Sequence, residues 1–248
     1  MMKSFLNGTL AKTAITLVTG AIFLGNAAAK PIELPNGDTY EGDVIDGVRS
    51  GHGAYVWANG YRYTGEFRND KMHGKGTYTW PDGRIYDGSF VNDQRDGYGQ
   101  LTWPNGDQYT GEFQSNVMIG LGIYLWRTGE QFEGEFLSGL PHGDGTYTWP
   151  DGRSFTGAFW EGMKTGGGNM VWPSGNRYIG EFEADQRHGI GAYFWKDGTV
   201  YNGEFTSNRM NGFGVKLTPG GVRYFQHWIE GDLVEESMIV AEPRCRLD

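Results

Sequence analysis

The sequence restarts every 23 residues. Beginning at Tyr40, an aromatic residue opens a new copy at positions 63, 86, 109, 132, 155, 178 and 201, without insertion or deletion. Residues 40–223 thus hold eight complete units, and a truncated ninth begins at Tyr224. The third, twelfth, fourteenth and twenty-first positions are Gly in every copy. The fifth is Phe except at Val44, and the eighteenth is Trp except at Thr218. So strict a period marks a stacked array of one supersecondary unit, each copy burying its apolar face on its neighbours.

Each unit carries two stretches of period-two alternation, the pattern of a strand rather than a helix. In Tyr63-Thr64-Gly65-Glu66-Phe67, ring, Gly and ring share one face while Thr64 and Glu66 share the other. In the stretch 74–80, Gly74, Gly76, Tyr78 and Trp80 share a face opposite Lys75, Thr77 and Thr79. Pro81-Asp82-Gly83 reads as a tight turn whose Gly takes positive φ, and 68–73 reads as a loop of about six residues. Pairing Trp80 with Arg84 sets Tyr78 opposite Tyr86 and Gly76 opposite Gly88. Pairing Phe67 with Gly74 sets Gly65 opposite Gly76 and Tyr63 opposite Tyr78. Rings then lie over residues that have no Cβ.

The expected fold is all-β: one elongated, twisted, single-layer antiparallel sheet of tandem hairpins. Its sixteen strands, ~4.8 Å apart, would run roughly 75 Å. The high Gly content (42 residues) argues against helix, since each Gly costs ~1 kcal/mol there relative to Ala. Weak helical character is expected only in the signal segment and in 232–241. Atypical ends, with Val44 and Ser50 in the first unit and Thr218 and Gln226 at the last, suit the terminal units of an array.

Residues 1–29 differ from the rest. Lys3 and Lys12 precede or flank an apolar run over 13–25, and Ala27-Ala28-Ala29 follows. A basic start, a short apolar core and a small-residue site describe a secretory signal peptide, and the run is too short for a ~20-residue membrane span. Cleavage after Ala29 would leave a lead-in (30–39), the eight units, a partial ninth acting as a cap (224–234) and a tail (235–248). The expected location is the periplasm or the extracellular space. Losing two lysines and no acid takes the formal net charge from −9 to −11. Such a chain repels phosphate backbones, so nucleic acid is not an expected partner, and anionic lipid is opposed on the same ground. Cys245 is the only cysteine, so no intramolecular disulfide forms.

Residues 63–76 (YTGEFRNDKMHGKG) and 178–191 (YIGEFEADQRHGIG) resemble the MORN (membrane occupation and recognition nexus) repeat. The resemblance covers 40–223 and implies a curved, extended sheet of hairpins. It also implies a role as scaffold, dimerisation module or adaptor; some members have been credited with binding phospholipids. The fourth-position Glu is replaced by Asp43, Ser89 and Ala158, and the eleventh-position His stands only at His73, His142 and His188. A secretory leader separates this chain from the largely intracellular members.

No pattern of catalysis is legible. Units ~10 Å apart put His73 and His142 roughly 29 Å apart, far beyond a shared metal ion. The repeated glutamates, Glu66 and Glu112 among them, form an open ladder rather than a carboxylate pair around a cleft. The glycines fit no phosphate-binding frame. The expectation is a protein that is not an enzyme and needs no cofactor or metal. The repeat-defining residues Tyr63, Gly65, Phe67, Gly74, Gly76, Trp80 and Gly83, with Trp103, Trp149, Trp172 and Trp195, are structural. The candidate partner contacts are Trp160, which has no counterpart in other units, and Met72, Met118, Met163 and Met210 at the tenth position or beside it. A protein partner or a second copy is the expected ligand; a phospholipid surface is the alternative, and a glycan on the aromatic face the third.

Overall fold

Two turn chemistries alternate along the chain. The structure, a computed structural model, describes residues 31–240; the expected leader and Cys245 lie outside the described residues. At the first turn the Trp80 amide donates to the Arg84 carbonyl and the Gly83 amide donates back to the Trp80 carbonyl, both at 3.0 Å. Gly83 has φ of 92°, which an L side chain rarely adopts. The second turn is tighter than the six-residue loop read from the sequence. Strand Arg62–Arg68 ends, Asn69 and Asp70 take φ of 51° and 63°, and strand Lys71–Thr79 begins. Two consecutive positive φ values mark the two-residue hairpin turn whose twist matches its strands, and Asn and Asp tolerate it.

Among the described residues nineteen strands result, each antiparallel to the next in sequence. Three exceed the expected sixteen: the short Ile32–Glu33, paired on Tyr40 and Thr39, and the two strands of the ninth unit, Arg223–Ile229 and Asp232–Met238. The stretch expected to be weakly helical is therefore a strand. The ladder groups of Arg223–Ile229 are satisfied by a hairpin through Glu230 and Gly231, and that pairing overrides a weak local preference.

Register agrees with the sequence on one side and differs on the other. Tyr78 faces Tyr86 and Gly76 faces Gly88, as expected. Tyr63 faces Tyr78 and Gly65 faces Gly76, also as expected, but Phe67 faces Met72 instead of Gly74. A bulge intervenes: Glu66 faces His73, which leaves Gly74 and Lys75 over. Gly74 takes φ of 59°, and the Lys75 amide donates to Glu66 Oε1 at 3.0 Å. Asp43 and Glu204 accept from His52 and Phe213 in the same way. The fourth-position acid thus closes a bulge that the twelfth-position Gly permits.

The core is a row of first-position rings. Tyr63, Tyr86, Tyr109, Phe132, Phe155, Tyr178 and Tyr201 are all essentially inaccessible. Each lies under the two glycines of its own unit. Its hydroxyl, where present, has a local acceptor in most units: Tyr63 donates to the Glu66 carbonyl at 2.8 Å and Tyr178 to the Glu181 carbonyl at 3.0 Å. Such a bond removes the cost of a buried, unpaired hydroxyl. At the end of the array Gln226 stands where Gly would be. It is buried, donates to Glu236 at 3.0 Å and accepts from Trp228 Nε1 at 3.2 Å.

Candidate functional site

The ring face divides into a closed row and an open one. In the closed row each first-position ring from Tyr63 to Tyr178 meets the Phe of its own unit and that of the next edge-on: Tyr63 lies 5.1 Å from both Phe67 and Phe90. The same contact joins Tyr86 to Phe113, Tyr109 to Phe136, Phe132 to Phe159, Phe155 to Phe182 and Tyr178 to Phe205. Edge-to-face pairs are worth about 0.5–1.5 kcal/mol beyond the area they bury. This row is core and offers nothing to a ligand.

The open row is made of the eighteenth-position tryptophans and the tyrosines beside them, half-buried except for Tyr55, which is buried. Trp57, Tyr78 and Trp80 follow one another at 5.6 and 4.6 Å, and Trp103, Tyr124, Trp126, Tyr147 and Trp149 continue at 4.5–5.4 Å. Leu101 and Met170 interrupt the tyrosines.

Between the rows lies the tenth position, expected from the sequence to contribute only a methionine stripe. It reads Arg49, Met72, Arg95, Met118, Pro141, Lys164, Arg187, Met210. The cations sit over rings. The Arg95 guanidinium is 5.5 Å from Trp80, 5.7 Å from Tyr86 and 5.2 Å from Phe113. Arg187 similarly meets Tyr178, Tyr193 and Phe205. Desolvation pulls both guanidinium pKa values below the ordinary arginine value. Each is anchored to the next hairpin tip, Arg95 donating to the Asn116 carbonyl at 2.7 Å and Arg49 to Asp70 Oδ1 at 2.9 Å. The alternation of Met with Arg was the available signal for these residues.

Two concavities open on this face. One is lined by Met72, Tyr78, Trp80, Phe90 and Arg95; the other, toward the C-terminal end, by Arg187, Tyr193, Trp195, Met210 and Trp228. Aromatic walls with one fixed cation suit an extended or helical peptide, with apolar side chains on the rings and a carbonyl or carboxylate toward the guanidinium. Among the described residues no three His, Cys, Asp or Glu side chains are grouped to hold a metal ion.

The five candidate contacts therefore separate. Met72 is buried within the ring packing, and Met118 and Met210 are half-buried against it. Met163, at the ninth position, and Trp160, at the sixth, lie on the opposite face and are exposed. The repeat-defining glycines and rings occupy the packing positions described above.

The model of the MORN repeat matches residues 40–60, 63–83, 86–108, 109–131, 132–152, 155–177, 178–200 and 201–223. No curated protein matches the sequence. Among solved structures, a point mutant of the TCP10 domain of Danio rerio CPAP is similar at 17% identity and a TM-score of 0.34, over 85% of this chain and 100% of that one. The TCP domain of Drosophila melanogaster SAS-4 (dCPAP), solved with a proline-rich motif of Ana2, is similar at 13% identity and a TM-score of 0.30, over 85% and 99%. A streptogramin B lyase follows at 10% identity and a TM-score of 0.19, over 88% and 86%.

Proposed function

The chain belongs to the MORN repeat family, and on that premise we propose that it is a non-enzymatic scaffold, exported by its leader, that binds another protein or a second copy of itself. The observation that carries this reading is the open aromatic row: rings half-buried and held in place by cations that the fold itself seats. Rigid aromatics lose little entropy on binding and are common anchors of protein interfaces. The fourth-position carboxylates close bulges where their bonds are seen, which gives them a structural task without chemistry.

Light scattering on the purified protein, alone and with a protein co-purified from its source, tests the reading. The scaffold predicts a complex of integer stoichiometry whose Kd rises at least tenfold in Trp80→Leu. A chain that forms no such complex and instead pellets with vesicles at moderate salt is a membrane module. The exposed Trp160 and Met163 favour that second reading, and the net charge opposes it.

A further inference from the structure

The outer face carries an apolar rim that the fold does not require. At the hairpin tips the sixth and ninth positions face each other across the turn: Gln114 with Val117, Leu137 with Leu140, Trp160 with Met163. Val117, Leu137, Leu140, Trp160 and Met163 are each 41–57% exposed. The half-buried Ile119 and His142 join them, His142 lying 4.6 Å from Trp160. Three consecutive tips thus share one apolar strip. Away from this strip the first tip is also apolar, Ile45 with Val48, but others hold Arg68 with Lys71 and Glu183 with Gln186, so the strand pairing tolerates charge there. The tips are held at fixed spacing, because the Gly139 amide donates to the Met118 carbonyl at 3.0 Å and the Gly162 amide to the Pro141 carbonyl at 2.9 Å.

We propose that this rim docks a basic amphipathic helix of a partner protein, laid across the three tips. The inference rests on the scaffold reading and names a surface distinct from the aromatic row. Tips two strands apart recur at about 9.6 Å, and one heptad of α-helix rises about 10.5 Å. A helix with two apolar residues per heptad therefore presents one pair to each tip over about three heptads. Its polar face meets acid. Glu112 and Glu135 border the strip inboard, Glu161 sits in the last of the three turns, and Glu183 begins the next tip; all four are exposed. That border repels an acidic helix and opposes a second copy of this acidic chain or an anionic membrane.

The test uses a 21-residue peptide with two leucines per heptad and lysine at most other positions, and a peptide of identical composition with the leucines out of register. Anisotropy with the purified protein should show the heptad peptide binding at least tenfold tighter than the scrambled one. Leu137→Arg with Trp160→Arg should weaken it a further tenfold or more. Leu140→Gln with Met163→Gln, which copies Gln94 and Gln186 of other units, should weaken it several-fold while leaving the melting curve in place. Equal binding of the two peptides, or unchanged binding by the glutamine variant, overturns the proposal. So does a rim variant that dissociates a homodimer, which makes the rim a self-interface, or one that abolishes binding to phosphatidylcholine vesicles, which makes it a lipid contact. If the heptad peptide is lost only in Trp80→Leu, the scaffold reading stands and the rim assignment falls. If the protein forms complexes with neither peptide nor protein, both fall.

Discussion

A Cβ added to Gly76 would lie 2.5 Å from the ring of Tyr63, which is itself 1% exposed. The contact is between two strands of one unit and recurs in every unit, so it is the array's principal packing constraint. Gly76→Ala should therefore cost about 1–3 kcal/mol, the range for overpacking a filled core. Gly167 supplies the control: its Cβ would meet nothing within 4 Å, and its φ is not in the left-handed region. Gly167→Ala should be neutral or gain up to ~1 kcal/mol by restricting the unfolded chain. Urea midpoints measured side by side decide it; equal shifts in the two variants refute the ring-under-glycine account.

The junction between units makes a second, sharper prediction. The Asn116 amide donates to the Arg95 carbonyl at 2.9 Å, and Asn116 Oδ1 accepts from the Arg95 amide at 2.9 Å. Asn116 does this at φ of 72°. Asn116→Ala loses the side-chain bond and strains the backbone, for a cost of about 2–3 kcal/mol. Asn116→Gly loses the bond but relieves the strain, and Gly139, Gly162 and Gly231 already stand at that position in other units. Thermal melts should therefore rank wild type, Gly and Ala in falling order. A glycine variant less stable than the alanine variant would show that φ is not what selects the residue.

The buried phenols set an alkaline limit. Desolvation pushes Tyr86, Tyr178 and Tyr201 up to about 12, from an ordinary value near 10. Tyr63 and Tyr109 shift in the same direction for the same cause. A raised folded pKa means that the fold holds the proton more tightly than the unfolded chain does. The associated stability is complete below pH 10 and is lost as pH climbs toward 12. Tyrosinate absorbance at 295 nm should therefore rise together with loss of the far-ultraviolet circular dichroism, as one transition. A smooth phenolate titration near pH 10 in a chain that keeps its dichroism would contradict this.

Most of the array was legible because its period carries both face and register. Gly-to-Gly and Tyr-to-Tyr pairing follows from 23-residue spacing and alternation alone, and it holds in the structure. The bulge at Gly74 escaped because Gly74 and Gly76 both obey the alternation; nothing in spacing says that only one faces Gly65. The Asn69–Asp70 turn was readable in principle, as a pair of residues tolerant of positive φ, but no Gly marked it. The strand Asp232–Met238 was hidden because the ninth unit replaces its glycines with Gln226, Glu235 and Ser237, and the ladder rather than the local sequence selects its conformation. The tenth-position cations were missed for another reason. Their environment is assembled from three strands, and Arg95 gives no hint of Phe113 until the sheet is built.

Those cations also decide what an anionic membrane should do. Attraction to such a surface comes to roughly 1 kcal/mol per lysine or arginine that reaches it. Here Arg49, Arg95 and Arg187 lie over rings and are bonded to Asp70, Asn116 and Asn208, while Lys164 is paired with Asp185 at 2.6 Å. They are spent inside the sheet, and the remaining surface carries the acids of a chain whose net charge is −9. Co-sedimentation with neutral and with anionic vesicles should leave the protein in the supernatant at both low and moderate salt. Binding at low salt that vanishes at moderate salt would mean that the cations left exposed, Arg68, Lys71 and Lys75 among them, outweigh the surrounding acids. Binding that survives moderate salt and is lost in Trp160→Ala would instead mean that the exposed rim inserts into lipid, and the scaffold reading would give way to a membrane module.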